Sequence, residues 1–112
     1  MQQRNWRARF EREMIMAQKA REEKNQGKAR VCARRAAGLV AQEYLKRRGV
    51  ATPGMTAYER VKLLQHWPGL PEGVGERVAH LTTRVNENYE LPIEADLVAD
   101  AQWLAETLLE TP

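Results

Sequence analysis

Twenty-three residues from Gly27 to Gly49, GKARVCARRAAGLVAQEYLKRRG, run between two glycines without a proline. A stretch of that length makes about six turns of α-helix. Ala29, Ala33, Ala36, Ala37 and Val40 recur along it at three- and four-residue steps, a stripe of small side chains on one face. Val31, Arg35, Gly38 and Leu45 run along the neighbouring flank. Small side chains let other helices approach closely. The stretch is therefore expected to form the central helix of a bundle, in contact with several partners.

The segments on either side carry the same helical period. Trp6, Phe10, Met14, Ala17 and Ala20 predict a first helix, capped by Asn5 and running to about Lys24, with KNQG as a short turn and Gly27 at its C-cap. So short a connection predicts a helical hairpin. Past Gly49, the quartet Thr56-Ala57-Tyr58-Glu59 has the form of a capping box. It predicts a short helix that carries Tyr58, Val61, Leu64 and Trp67 inward until WPGLP stops it. Val74, Val78, Leu81 and Val85 predict a fourth helix over Glu72–Asn86. After the break NENYELP, a last helix is expected over Ile93–Leu109, with Glu94 and Asp96 in its first turn and Leu97, Ala101, Leu104 and Leu108 on its buried face. No strand-like alternation and no internal repeat appears. The expected fold is all-α: one domain over residues 1–112, an antiparallel up-and-down helical bundle of four long helices plus one short one.

Charge divides the chain. Residues 1–50 hold fourteen Lys/Arg against five Asp/Glu, a local balance of +9, and residues 51–112 hold four against ten, a balance of −6. The basic half could meet nucleic acid, or the halves could pair across the bundle and between copies. A homodimer is expected on the second ground. No apolar run approaches the roughly 20 residues of a membrane span, and no hydrophobic segment follows the basic MQQRNWRARF, so neither a membrane partner nor a secretory signal is expected. Cys32 is the sole cysteine. A disulfide within the chain is thereby excluded, and a cytoplasmic location is expected.

Few residues could carry chemistry. Cys32 sits among alanines and reads as an inert thiol. Arg60 and His66, six positions apart, fall on different faces of one helix. His80 and Arg84 are four apart and would share a helix face, and the polar loop that follows delivers Asn88 and Tyr89. A helix N-terminus just after that loop would offer free N–H groups to an anion. His80, Arg84, Asn88 and Tyr89 are thus the candidate ligand-binding residues, with no catalytic residue, metal ligand or cofactor expected.

The arrangement of Trp6 on the first helix, the KNQGKAR turn, Ala36-Ala37 followed by Tyr44-Leu45, and NENYELP leading into IEADLVADAQWLAETLL resembles the HEPN superfamily, the higher eukaryotes and prokaryotes nucleotide-binding domains. The resemblance implies a helical bundle, association with nucleotide or RNA, and work beside a separate minimal nucleotidyltransferase. Ribonucleases of the superfamily carry an Arg followed after four to six residues by His at the second hairpin. Here the corresponding positions after Arg84 are Tyr89, Glu90 and Leu91, and those after Arg77 are Thr82, Thr83 and Arg84. The resemblance therefore implies a noncatalytic binding module. Two alternatives stay open: a degenerate ribonuclease of a toxin–antitoxin pair using Arg84, Tyr89 and His80, and a helical scaffold with no nucleic-acid role.

Overall fold

The buried residues of the central stretch occupy most of its circumference, and this sets the architecture. In the computed structural model, which describes the backbone of residues 2–110 and the side chains of 6–110, that stretch is helix α2, Gln26–Lys46. It packs against α1 (Gln2–Glu22), α3 (Ala57–Leu64) and α5 (Leu97–Ala105), while α4 (Val74–Thr82) bridges α3 and α5. The described residues form an all-helical fold with no strand, and none of its helices is long and apolar enough to cross a membrane. Two helices are long, at 21 residues each. The other three have eight or nine, so the expected four long helices are not found.

Each helix follows from its sequence, with boundary shifts that have local causes. α1 starts at Gln2, so Asn5 lies within it rather than capping it, and the Asn5 side chain lies outside the described ones. Lys24, at φ 60°, takes the left-handed position expected of Gly27. Asn25 then caps α2, its side chain accepting from the Lys28 N–H at 3.1 Å. At the far end Gly49 does act as the stop, with φ 81°. The capping box of α3 is complete: the Thr56 hydroxyl accepts from the Glu59 N–H and the Glu59 carboxylate accepts from the Thr56 N–H.

α4 stops at Thr82, four residues short of the expected end. Thr83 turns extended, and the Thr82 and Thr83 hydroxyls donate to the Val78 and Ala79 carbonyls at 2.8 and 2.7 Å. Such back-bonding competes with continuation of the helix. Val85, assigned to the buried stripe, is left 40% exposed. α5 begins at Leu97 instead of Ile93, with Asp96 as its cap, accepting from the Ala99 N–H at 3.0 Å. Its last turn, Glu106–Glu110, widens into π-helix. The extra residue per turn shifts the face by one position, so Leu109 is buried where Leu108 was expected, and Leu108 sits at the core margin.

One core results. Trp6 and Phe10 pack ring to ring at 5.9 Å between centroids. Ala33, Ala36, Ala37, Val40, Val78, Leu81, Leu97, Ala101 and Leu104 join them. Full burial of Leu45, Leu64, Leu81 and Leu104 contributes about 1.5–3 kcal/mol for each side chain. The closest approach is at Gly38, where a β-carbon would lie 2.6 Å from Cβ and 2.8 Å from Cα of Ala57. That contact seats the first turn of α3 directly on α2.

Candidate functional site

The early end of α4 separates the four sequence-predicted site residues. His80 stays on the helix and turns inward to α5, where its Nδ1 lies 3.0 Å from the Asp100 carboxylate, with Arg77 on the other Asp100 oxygen at 3.8 Å. Arg77 in turn stacks on the Trp103 ring at 4.3 Å. These groups hold α4 to α5. His80 is a clip between helices and shares no face with Arg84. Replacing Asp100 with alanine removes the partner of His80 Nδ1 and leaves His80 and Arg77 only the more exposed Glu76 on their own helix, at 3.9 and 3.6 Å. The change is expected to cost about 1–3 kcal/mol in denaturant unfolding. Burial holds the Asp100 carboxyl above its usual value, although the His80 hydrogen bond and charge and the Arg77 charge oppose it. An acid whose folded-state pKa is raised binds more proton folded than unfolded. Its contribution to stability therefore declines as pH rises from the usual carboxylate value through the raised one.

Arg84 follows α4 on extended chain and lies over the Tyr58 ring, 4.5 Å from its centroid. It lines an open groove of about 590 Å³ together with Arg30 and Arg34 of α2, Tyr58 of α3, Val85 and Tyr89. Tyr89 projects from a turn that Asn86 organises. The Asn86 side-chain oxygen accepts from the Asn88 and Glu90 N–H groups at 2.9 and 3.0 Å. This closure holds Tyr89 in the left-handed region at φ 60°, with the residue 81% exposed. Arg84 and Tyr89 thus line one groove. Asn88 is an exposed member of the turn, and the Asp96 cap occupies the helix N-terminus that was expected beside it, with Arg21 paired to its carboxylate at 3.3 Å.

Electrostatically the groove is one-sided. Arg30, Arg34 and Arg84 take part in no ion pair among the described residues, and no carboxylate lines the groove. Arg34 is fixed in place by donating to the Leu81 carbonyl at 2.7 Å and the Thr83 carbonyl at 3.4 Å, while Arg30 donates to the Tyr89 carbonyl at 3.4 Å. Burial, then the charges of Arg30 and Arg84, lower the Arg34 guanidinium from its usual value. It stays charged nonetheless, as arginine does in proteins. The Tyr58 phenol accepts from Lys62 at 3.4 Å, and that bond, followed by the Lys62 and Arg84 charges, pulls it below its usual value. Three cations converge here with no carboxylate in the groove lining, beside two phenol rings and the exposed Val31 and Val85, while the adjoining cleft that shares Arg30 and Tyr89 is lined by Glu90, Glu94 and Asp96. Such a surface suits a phosphate-bearing ligand with a flat, stackable part.

Arg30, Arg34 and Tyr58 did not stand out as site residues in the sequence. The available signal was the absence of acid: Lys28, Arg30, Arg34 and Arg35 precede Glu43, the first carboxylate of α2. Cys32 is buried, and burial pushes its thiol up, as expected of an inert cysteine. His66 is exposed just beyond α3, and Arg60 is bound to Thr52. Comparison of the chain with protein-family models, curated proteins and solved structures finds no match.

Proposed function

We propose that this chain is a noncatalytic, HEPN-like helical module that binds single-stranded RNA in the Arg30–Arg34–Arg84 groove. The observation that carries this reading is the convergence of three arginines, in no ion pair among the described residues, on a groove bordered by Tyr58 and the exposed Tyr89. Arginine forks can hold phosphate oxygens by parallel hydrogen bonds. The exposed Tyr89 ring offers a face on which a base stacks without strong sequence preference, while Tyr58 carries Arg84 over its ring. RNA cleavage would need a group near the 2′-hydroxyl that takes up a proton at neutral pH. The groove lining supplies no histidine or carboxylate for this, and His80 is committed to Asp100. The three-residue turn between α1 and α2 supports antiparallel packing of that hairpin. The opposite charges of the two halves of the chain support a homodimer, and the resemblance noted in the sequence supports work beside a separate minimal nucleotidyltransferase.

Amide shifts followed by NMR during titration with a uridine trinucleotide at low salt test the reading. The largest shifts are expected at Arg30, Arg34, Tyr58, Arg84 and Tyr89, and the RNA is expected to remain uncut. Shifts confined to the Arg47–Arg48 end of α2 would contradict the assignment of the groove. Cleavage that disappears in Arg84→Ala would favour the ribonuclease alternative instead.

A further inference from the structure

On the other side of the α2–α3 crossing lies a second basic cleft. It is smaller, about 260 Å³, and is lined by Arg9 and Arg12 of α1, Arg35 of α2 and Arg60 of α3, around Gly38 and Ala57. We propose that RNA held in the Arg30–Arg34–Arg84 groove continues over the first turn of α3 into this cleft, which takes its phosphodiester backbone. The ligand class is then a strand of several nucleotides rather than a free nucleotide. This inference rests on the reading of the first groove as an RNA site.

Three observations carry it. First, the cleft is strongly positive: among the described residues none of its four arginines forms an ion pair, and Glu13 is the one carboxylate lining it. Glu13 works against an anion, and its Oε1 is shut off from solvent without a hydrogen-bond donor. Four cations against one anion still leave a surplus. Second, Arg60 is held in position from behind, donating from Nε to the Thr52 hydroxyl and from a terminal nitrogen to the Thr52 carbonyl, both at 2.9 Å. Thr52 is itself buried. Two of the five guanidinium N–H groups are used in this way, and the remainder stay available to a ligand.

Third, the two clefts are adjacent through consecutive residues. Arg34 lines the groove and Arg35 the second cleft, while Tyr58 lines the groove and Ala57 the second cleft. Between them α3 sits close on α2, with Ala57 against Gly38. A single nucleotide can fill one cleft, but only a polymer carries phosphates into both. The second cleft has no aromatic lining, so it suits backbone contact, while a base stacks at the exposed Tyr89 of the first.

Uridine oligonucleotides of three and twelve residues, titrated over a range of salt, test the proposal. For single strands the slope of log K against log salt is about −0.7 for each phosphate neutralised. With a 5′-phosphate, and so three phosphates, the trinucleotide is expected to give about −2, from three arginines, and the twelve-residue strand about −4 to −5. The double variant Arg12→Ala/Arg35→Ala, at two exposed positions, is expected to lower twelve-residue affinity about tenfold or more and to leave trinucleotide affinity unchanged. Equal slopes for the two lengths, or a double variant that binds the long strand like the parent, overturn the second cleft while the first groove stands. So does equal weakening of both lengths, since the long strand would then draw nothing of its own from Arg12 and Arg35. Polyglutamate binding as tight as the twelve-residue RNA would reassign the cleft to acidic protein segments. A parent protein that fails to bind the trinucleotide overturns the reading of the groove itself.

Discussion

Gly38→Ala is expected to destabilise the fold by about 1–3 kcal/mol in urea unfolding, despite adding a better helix former. Removing glycine from a helix interior is by itself worth roughly 0.5–1 kcal/mol of stability. Here the added methyl would stand 2.6 Å from Ala57 Cβ and 2.8 Å from Ala57 Cα. The second of those atoms is backbone and cannot rotate away, so the first turn of α3 must lift from α2. For a domain of this size each kcal/mol corresponds to roughly 4–8 °C in melting temperature. Because α3 carries Tyr58 and Arg60, the same change should also weaken RNA binding on both sides of the crossing. Ala57→Gly in the Gly38→Ala background should recover part of the loss, since it removes the nearer of the two contacts. An unchanged or raised melting temperature would mean that α3 does not rest on α2 at Gly38.

Arg84→Glu is expected to lower affinity for single-stranded RNA by about ten- to a hundred-fold, with little change in melting temperature. A hydrogen bond to a charged group is worth about 1.5–3 kcal/mol, and 1.4 kcal/mol is tenfold in affinity. Reversal adds repulsion to that loss. The fold should tolerate it because Arg84 is exposed and its contact with the protein is the stack on Tyr58, which is worth about 0.5–1 kcal/mol at exposed sites. Arg34 is a poorer probe of binding. Its guanidinium also satisfies carbonyls at the C-terminal end of α4, so Arg34→Ala would weaken folding and binding together. An Arg84→Glu variant that binds as the parent does would remove Arg84 from the site.

The helices and core were legible in the sequence because they rest on period and composition. The alanine stripe of α2, the box at Thr56 and the leucines of α5 each state a local preference that packing then reinforces. The ends of α4 and α5 were not legible. Whether Thr82 and Thr83 continue a helix or bond back to it depends on what meets the terminal carbonyls, and here that is Arg34, 47 residues earlier for its bond to Leu81. The π-turn that exchanges Leu108 for Leu109 is a matter of fit at the end of the core, invisible to a 3.6-residue period. The same non-local contacts decided the candidate site. Arg84 and Tyr89 could be chosen from their local sequence, but His80 was drawn away by Asp100 on another helix, and Arg30, Arg34 and Tyr58 came from helices far along the chain.

Binding of a 5′-phosphorylated uridine trinucleotide to the intact protein, measured across salt concentrations and followed by electrophoresis of the recovered RNA, most directly tests whether the groove holds RNA and leaves it whole. The expected result is measurable binding at low salt, a log–log slope of about −2, a shallower slope in Arg84→Glu, and RNA of unchanged length. Absence of binding at low salt, a slope near zero, or shortened RNA would contradict it.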